Sequence, residues 1–250
     1  MKLISYLHGI GDTIMLTPAM RALHEAGERF DLVLFDYVKN SHLLDNCQYI
    51  NNIHTLKSHW KHPRPGHQYA ANINRVIEIG KKYDETIIID HKGFEKGEHK
   101  VDYNMRRCGV YGNTKCEVFI PEKMRVKAKE AIDSWGEEFV FAHWCVPDHP
   151  YHTWKDATAW INANFGNRYY LYNTCSGKPN DNINMAFAMM SMASAVVLCS
   201  SVFVHAADAM GIPIDCLYYG HRDDKVIPRH TEIRTLIVKE YKCRISTKQS

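Results

Sequence analysis

The chain has 250 residues, enough to bury a sizeable core in one large domain or two small ones. Its 45% hydrophobic and 24% charged residues are ordinary for a globular protein and exclude a fibrous or intrinsically disordered chain. The net charge of +3 is too small to indicate a nucleic-acid partner by itself.

The cysteines and the apolar tracts argue against two further classes of protein. Eight cysteines are scattered along the chain without a Cys-x-x-Cys pair, so no zinc framework is predicted. We find no signal peptide and therefore expect a cytoplasmic protein with reduced thiols, of which Cys145, Cys199 and Cys216 should be buried. The longest apolar tract, residues 185–210, is too polar for a membrane span.

The amino-terminal stretch predicts a strand, a tight turn and a helix. Residues 2–7 are an apolar run, Gly9 and Gly11 follow, and Asp12 precedes an amphipathic helical pattern. This is the opening βα unit of a nucleotide-binding α/β domain, and Asp12 should stand at the carboxyl end of the strand, where ligands bind. The glycines would let a ligand approach the backbone closely. The third glycine of the dinucleotide fingerprint is absent, so NAD binding is not predicted.

Asp12 also has a purely structural interpretation. Aspartate is a favoured N-cap residue, and Asp12 could simply begin the helix. Thr17 and Pro18 compete for that role, because threonine before proline is also typical of a helix start. If the helix begins near Asp12, then Pro18 lies inside it and should bend it.

Strands and helices alternate through the rest of the first half. The patterns predict strands over residues 31–36, 52–56, 85–90 and 116–120, helices over 69–82 and 102–108, and polar loops over 57–67 and 91–100.

The pattern restarts after Pro121 and a charged helix over residues 122–135. The second half predicts strands over 139–143, 168–173, 195–199, 212–217 and 233–238, and helices over 154–164, 182–193 and 201–210. Such alternation in both halves predicts two parallel-sheet α/β domains, residues 1–121 and 122–250, with the ligand site in the cleft between them.

Four stretches together resemble the ADP-heptose:lipopolysaccharide heptosyltransferase family, which are inverting glycosyltransferases of the GT-B fold. They are residues 7–21, residues 83–90 with Gly93, residues 139–154 and residues 200–213, where His205, Ala207, Gly211 and Pro213 stand at matching places. The resemblance implies two Rossmann-like domains facing a cleft in a compact GT-B arrangement. The first domain would bind the acceptor and the second the nucleotide sugar, with Asp12 as the catalytic base.

The donor side is expected mainly on the predicted helix near Ser201. Its free N–H groups and dipole favour a diphosphate, Ser200 and Ser201 can donate hydroxyls, and His205 lies one turn further on. Plain N-capping by the serines and a buried structural role for His205 remain alternatives. Further donor or phosphate contacts are predicted at Gly9, Gly11, His152, Lys155 and Gly177.

The acceptor side is expected in the most basic part of the chain, residues 54–110, which holds eleven Lys/Arg, seven Asp/Glu and six histidines. An ordinary solvated surface would carry the same charges. The residues chosen as acceptor contacts are Lys57, Trp60, Lys61, Arg64, His91 and Lys92. With no Asp-x-Asp signature, neither a metal nor another cofactor is expected beside the nucleotide sugar.

Three functions follow from these observations. The leading one is transfer of a sugar from a nucleotide-diphosphate sugar to a saccharide or lipopolysaccharide-type acceptor. The second keeps the chemistry but makes DNA the partner, as in viral enzymes that glycosylate 5-hydroxymethylpyrimidine bases, which must be flipped out of the duplex. The third is an inactive sugar-nucleotide-binding module. It is favoured by Ser200 to Phe203, where the family usually has Asp-Thr-Gly-Pro.

Overall fold

The structure is a computed structural model. It describes residues 1–58, 65–90, 92–135, 138–143, 154–165, 170–173, 182–219 and 224–238. Every structural statement below refers to these residues.

The first half forms a parallel sheet with helices between its strands. Its elements in chain order are β1 (Lys2–Ser5), α1 (Ile10–Ile14), α2 (Thr17–Glu25), β2 (Phe30–Phe35), α3 (Asp36–Asn40), β3 (Ile53–Leu56), α4 (Pro65–Gly80), β4 (Glu85–Ile88) and α5 (Lys100–Arg107). The four strands lie in the order β3-β2-β1-β4, and all pairs are parallel.

The second half forms another parallel sheet. Its elements are α6 (Glu122–Trp135), β5 (Phe139–His143), α7 (Trp154–Phe165), β6 (Tyr170–Asn173), α8 (Ile183–Met190), β7 (Ala195–Cys199), α9 (Val202–Met210), β8 (Cys216–Tyr219), a 3-10 turn (Asp224–Val226) and β9 (Leu236–Val238). The five strands lie in the order β6-β5-β7-β8-β9, again all parallel.

The central strands are short apolar runs because both faces of each sheet are covered. Every residue of β5 and β7 is buried, as expected for strands packed between two layers of helices. One apolar cluster draws on both halves of the chain, with Ile4 and Leu32 from the first sheet and Phe141 and Leu198 from the second. The two halves therefore share a core. They also meet where α1 packs against α9.

Several sequence predictions need correction. Residues 116–120 form no strand; instead, the Thr17 hydroxyl accepts a hydrogen bond from the Glu117 N–H at 2.8 Å. The Arg21 guanidinium donates to the nearby carbonyls of Asn113 and Lys115, so side chains of α2 take the place of a neighbouring strand. Helix α3 was not predicted, and β8 begins at Cys216 rather than at 212.

The predicted parallel α/β class with two sheets is confirmed. All strands of the first sheet precede residue 89 and all strands of the second follow residue 138. The domain boundary between 121 and 122 stays a prediction. No helix in the described part of the chain is long and apolar enough to cross a membrane.

Candidate active site

The candidate site lies where the strand order of each sheet changes direction. The chain leaves β1 toward β2 and β3 and then returns to place β4 on the other side of β1. In the second sheet the chain passes from β5 to β6 on one side and then returns to place β7 on the other side of β5, so a second switch point lies between β5 and β7. Ligands of open α/β sheets bind at the carboxyl ends of strands at such points. The segments following β1, β4, β5 and β7 are therefore the expected positions of a bound ligand.

The segment after β1 forms two short helices rather than one bent helix. Gly9 is the N-cap of α1, and Asp12 is its third residue, so the N-cap interpretation of Asp12 was wrong. The Gly9 N–H donates to Asp12 Oδ2 at 3.1 Å, which fixes the carboxylate beside the turn. Pro18 lies in the first turn of α2, where the missing N–H costs nothing, and it bends no helix.

The other carboxylate oxygen of Asp12 is paired with a lysine from α5. Lys100 Nζ lies 2.7 Å from Asp12 Oδ1; the lysine side chain is 6% exposed and the aspartate side chain 27% exposed. Burial alone would raise the pKa of the Asp12 carboxyl. The charge and hydrogen bond of Lys100, with smaller contributions from His8 and His205, together lower the pKa below its ordinary value. Asp12 is therefore ionised at neutral pH and retains some access from outside.

Sequence reasoning missed Lys100. It stands 88 residues from Asp12 in the chain, and no spacing rule connects the two. One signal was available: Lys100 occupies the first turn of a helix, where a positive charge opposes the helix dipole. A cation at that end of a helix indicates a specific anionic partner.

Hydrogen bonds from the first sheet hold the backbone around Asp12. The Tyr6 hydroxyl donates to the Asp12 carbonyl oxygen at 3.0 Å. Nε2 of the buried His8 lies 2.9 Å from the Ile89 carbonyl oxygen, just beyond β4, and joins the ends of the two strands. Hydrogen bonds thus fix the loop that carries Asp12 on both sides of the switch point.

Gly11 is where α1 meets the second half of the molecule. A Cβ atom added there would lie 2.9 Å from His205 Cδ2 and 3.2 Å from the Cα of Val202, both in α9. The absence of a side chain at Gly11 therefore serves helix packing. The proposed phosphate contact of Gly9 and Gly11 stays a prediction.

The amino terminus of α9 has the features of an anion site. Ser201 is its N-cap residue but makes no side-chain capping bond, and its buried Oγ has no hydrogen-bond partner among the described residues. Ser201 thus occupies the N-cap position without capping the helix through its side chain. Its hydroxyl and the first free N–H groups of α9 remain available to an incoming phosphate. Ser200 lies next to it, and its N–H donates to the Tyr218 carbonyl.

Two histidines flank this helix terminus. His205, on α9, faces α1, and burial lowers its pKa to about 4. His143 ends β5, its ring lies 4.6 Å from that of Phe203, and burial likewise lowers its pKa to about 4. Both are therefore neutral at pH 7 without a bound anion. The phosphate contact expected of His205 stays a prediction. His143 was not singled out from the sequence.

The structure describes only some of the other residues that were singled out from the sequence. Lys57 and Lys92 are exposed in loops that follow β3 and β4 of the first sheet. Lys155 lies in the first turn of α7, with its side chain outside the described residues. Also outside the described residues are Trp60, Lys61, Arg64, His91, His152, Gly177 and Cys145. Cys199 and Cys216 are buried, as predicted.

Within the described ranges, no group of three histidine, cysteine, aspartate or glutamate side chains is arranged to hold a metal ion. The switch points instead gather one ionised carboxylate, one buried lysine and the amino terminus of a helix. This set can take a proton from a hydroxyl and accommodate an anion next to it.

Neither a scan against models of protein families nor a sequence search of curated proteins finds a match. A comparison of the whole fold with solved structures does find matches. A family 9 glycosyltransferase from Veillonella parvula has a TM-score of 0.67 at 15% identity, over 95% of this chain and 85% of that one. The chain shares its fold with this glycosyltransferase.

Two further solved structures share this fold. Heptosyltransferase WaaC from E. coli, determined with ADP, has a TM-score of 0.60 at 11% identity, over 96% of this chain and 93% of that one. TibC from enterotoxigenic E. coli, described as an iron-containing dodecameric glycosyltransferase, has a TM-score of 0.57 at 12% identity, over 97% of this chain and 63% of that one. The GT-B-like fold implied by the sequence resemblance is confirmed.

Proposed function

We propose that this chain is an inverting glycosyltransferase that moves a sugar from a nucleotide-diphosphate sugar to a hydroxyl of a saccharide or lipopolysaccharide-type acceptor. The observation that carries the proposal is the Asp12 carboxylate, ionised and partly accessible, within a fold shared with glycosyltransferases. WaaC was determined with ADP, which supports a nucleotide diphosphate as the leaving group.

In the proposed reaction the acceptor hydroxyl attacks the anomeric carbon of the donor. The new C–O bond forms as the bond from that carbon to the diphosphate breaks, and the hydroxyl proton passes to Asp12. A carboxylate of low pKa is a weak base in the ground state, so the proton should leave late, when the attacking oxygen has already become acidic. Lys100 keeps Asp12 ionised and oriented.

We propose that the departing diphosphate is bound at the amino terminus of α9. Its support is the buried Ser201 hydroxyl, which has no hydrogen-bond partner among the described residues, together with the free N–H groups of the helix. His205 would donate a hydrogen bond as a neutral imidazole, or would become protonated once the anion is bound. We propose that no metal takes part, so EDTA should leave turnover unchanged.

The acceptor is proposed to be an anionic or saccharide molecule on the side of the first sheet. The support is the excess of lysine and arginine over acidic residues in 54–110, with Lys57 and Lys92 exposed. We also propose a cytoplasmic location, in keeping with the buried thiols of Cys108, Cys116 and Cys216, whose pKa burial raises to about 12.

The test is to incubate the full chain with a panel of nucleotide-diphosphate sugars and to follow release of the nucleoside diphosphate, with and without glycan acceptors. Release that depends on Asp12 supports the transferase. Saturable binding of a sugar nucleotide with no release, by hydrolysis or transfer, would instead support the inactive binding module.

A further inference from the structure

His99 connects the two halves of the molecule next to the candidate base. It is the N-cap of α5, it is 6% exposed, and its Nδ1 accepts a hydrogen bond from the Val101 N–H at 3.3 Å. Its Nε2 lies 3.1 Å from the carbonyl oxygen of Ile227, in the second half of the chain. Because Nδ1 is an acceptor, Nε2 must carry the proton and donate to Ile227. One neutral tautomer therefore satisfies both contacts.

Lys100 follows His99 directly and is the first residue of α5. Its side chain leaves the helix in a direction set by how the cap is held, and it ends 2.7 Å from Asp12 Oδ1. The helix dipole disfavours a cation at this position, so geometry must keep it there. The carbonyl of Ile227 is thus linked to Lys100 by the side chain of His99 and by the peptide unit between His99 and Lys100.

We infer that His99 is a positioning residue that holds Lys100 against Asp12 when the two halves of the molecule are docked. The inference rests on the proposed function only for its catalytic consequence, since the contacts themselves do not depend on it. Without the bond to Ile227, α5 keeps its cap and the pair between Asp102 and Arg229, but the residue next to Lys100 is no longer bonded to the second half. Lys100 then pairs less closely with Asp12.

Burial favours the neutral imidazole that both contacts require. It lowers the pKa of His99, and so does Arg229, which pairs with Asp102 at 2.7 Å. The hydrogen bond to Ile227 and the carboxylates of Asp102 and Asp208 act in the opposite direction but do not reverse the shift. The groups that act on Asp12 itself are Lys100, His8 and His205.

Two substitutions separate the two contacts of His99. In His99→Asn the amide oxygen replaces Nδ1 and keeps the cap, but the side chain is too short to reach Ile227. In His99→Gln the amide nitrogen stands where Nε2 stood and can still donate to Ile227. His99→Ser, a strong cap without the reach, provides a second version of the first variant. Lys100→Met gives the effect of losing the lysine altogether.

The readout is the titration of the Asp12 carboxyl in the full chain, followed by carbon NMR with aspartate labelling and assigned with Asp12→Asn. Removing an adjacent cation raises a carboxyl pKa by about 1–3 units, which is the shift expected for Lys100→Met. In His99→Asn and His99→Ser the pKa of the Asp12 carboxyl should also rise, by about one unit. In His99→Gln it should stay at the wild-type value. In Lys100→Met, adding His99→Asn should cause no further shift.

This titration requires no substrate, so it tests His99 even if the transferase proposal fails. Where transfer is measured, His99→Asn should lower kcat about tenfold, as expected for displacement of a supporting group, with the donor KM unchanged. An unaltered Asp12 titration in folded His99→Asn would overturn the inference. If His99→Asn and His99→Ser both fail to fold although they keep the cap, His99 is a structural residue only, and the inference is equally overturned.

Discussion

The imidazole of His205 occupies the space that a side chain on residue 11 would need. An added Cβ on Gly11 would lie 2.9 Å from His205 Cδ2, closer than real Cβ contacts come, and 3.2 Å from the backbone of Val202. The turn that presents Asp12 and the helix proposed to bind the diphosphate are thus in direct contact. The close approach of α1 to α9 depends on the absence of a Cβ atom at residue 11.

Gly11→Ala should therefore separate α1 from α9. Overpacking of this kind typically costs about 1–3 kcal/mol, which urea unfolding would measure as a lower midpoint at an unchanged m-value. Gly9→Ala is the matched comparison, because a Cβ there would meet only Asp12 Oδ2, at an ordinary 3.4 Å. Equal losses of stability in the two variants would contradict the packing explanation.

Replacing Asp12 by asparagine tests the proposed base. Asp12→Asn should lower turnover about 10²–10⁴-fold and leave donor affinity within a few-fold, because the donor phosphates are placed elsewhere. Asp45→Asn is the control: Asp45 also pairs with a lysine, Lys39, but is exposed in the turn after α3. Near wild-type turnover in Asp12→Asn would reduce Asp12 to a residue that stabilises the α1 turn.

Stability should fall as the solution is acidified from pH 6.5 to pH 4. His143 and His205 bind their protons near pH 4 in the folded chain but near 6.5 when unfolded, so unfolding takes up protons between these values. Each histidine thus contributes stability that is complete above pH 6.5 and is lost as pH falls toward 4.

Urea titrations at several pH values measure this loss. His143→Gln and His205→Gln should each flatten the decline, whereas His24→Gln, at an exposed position, should leave it unchanged. A decline that is equally steep in all three variants would place its origin in other groups.

His205 should distinguish a nucleoside diphosphate from a nucleoside. His205→Ala should weaken the diphosphate by about 1.5–3 kcal/mol if the imidazole becomes charged in the complex, and the nucleoside much less. Because free His205 is neutral at pH 7, binding of the anion should then take up a proton. Calorimetry in buffers of different ionisation enthalpy measures that uptake. Equal weakening of both ligands would remove His205 from the phosphate site.

The basic segment of the sequence that contains Lys57, Lys61 and Arg64 should contact the acceptor. Replacing Lys57, Lys61 and Arg64 by alanine should raise the acceptor KM and leave the donor KM unchanged. If the acceptor were duplex DNA, binding would depend steeply on salt, and the triple variant would lower that slope by about two to three. The binding of a neutral glycan would depend hardly at all on the salt concentration. With no change in either KM, the acceptor contacts should be sought in residues 91–100.

The sequence predicted the sheets well because their strands carry a strong local signal. Residues 139–143 and 195–199 are continuous apolar runs between polar segments, and the structure has strands with these same bounds. Helix 122–135 was equally clear, with its proline before the first turn. The strand predicted at 116–120 failed because α2 side chains, Thr17 and Arg21, supply hydrogen bonds that no local pattern reveals.

The candidate site was harder to predict for the same reason. Asp12 could be picked out because it follows a strand and a glycine turn, which are local features. Lys100 and His99 act through contacts that span 88 and 128 residues of chain. The tautomer of His99 follows from its hydrogen bonds to Val101 and Ile227, and the neutral state of His205 follows from burial. Neither can be read from the periodicity of the sequence.

The apolar cluster common to both sheets bears on how a chimaera of this fold could be built. Phe203 and Val204 of α9 belong to the same cluster as Ile14, the last residue of α1, and Met15. Grafting the second half of another protein of this fold onto residues 1–121 would therefore replace one side of a continuous interior, and not merely join two modules. A functional chimaera would have to carry over the buried surface of α9 along with the glycine opposite it.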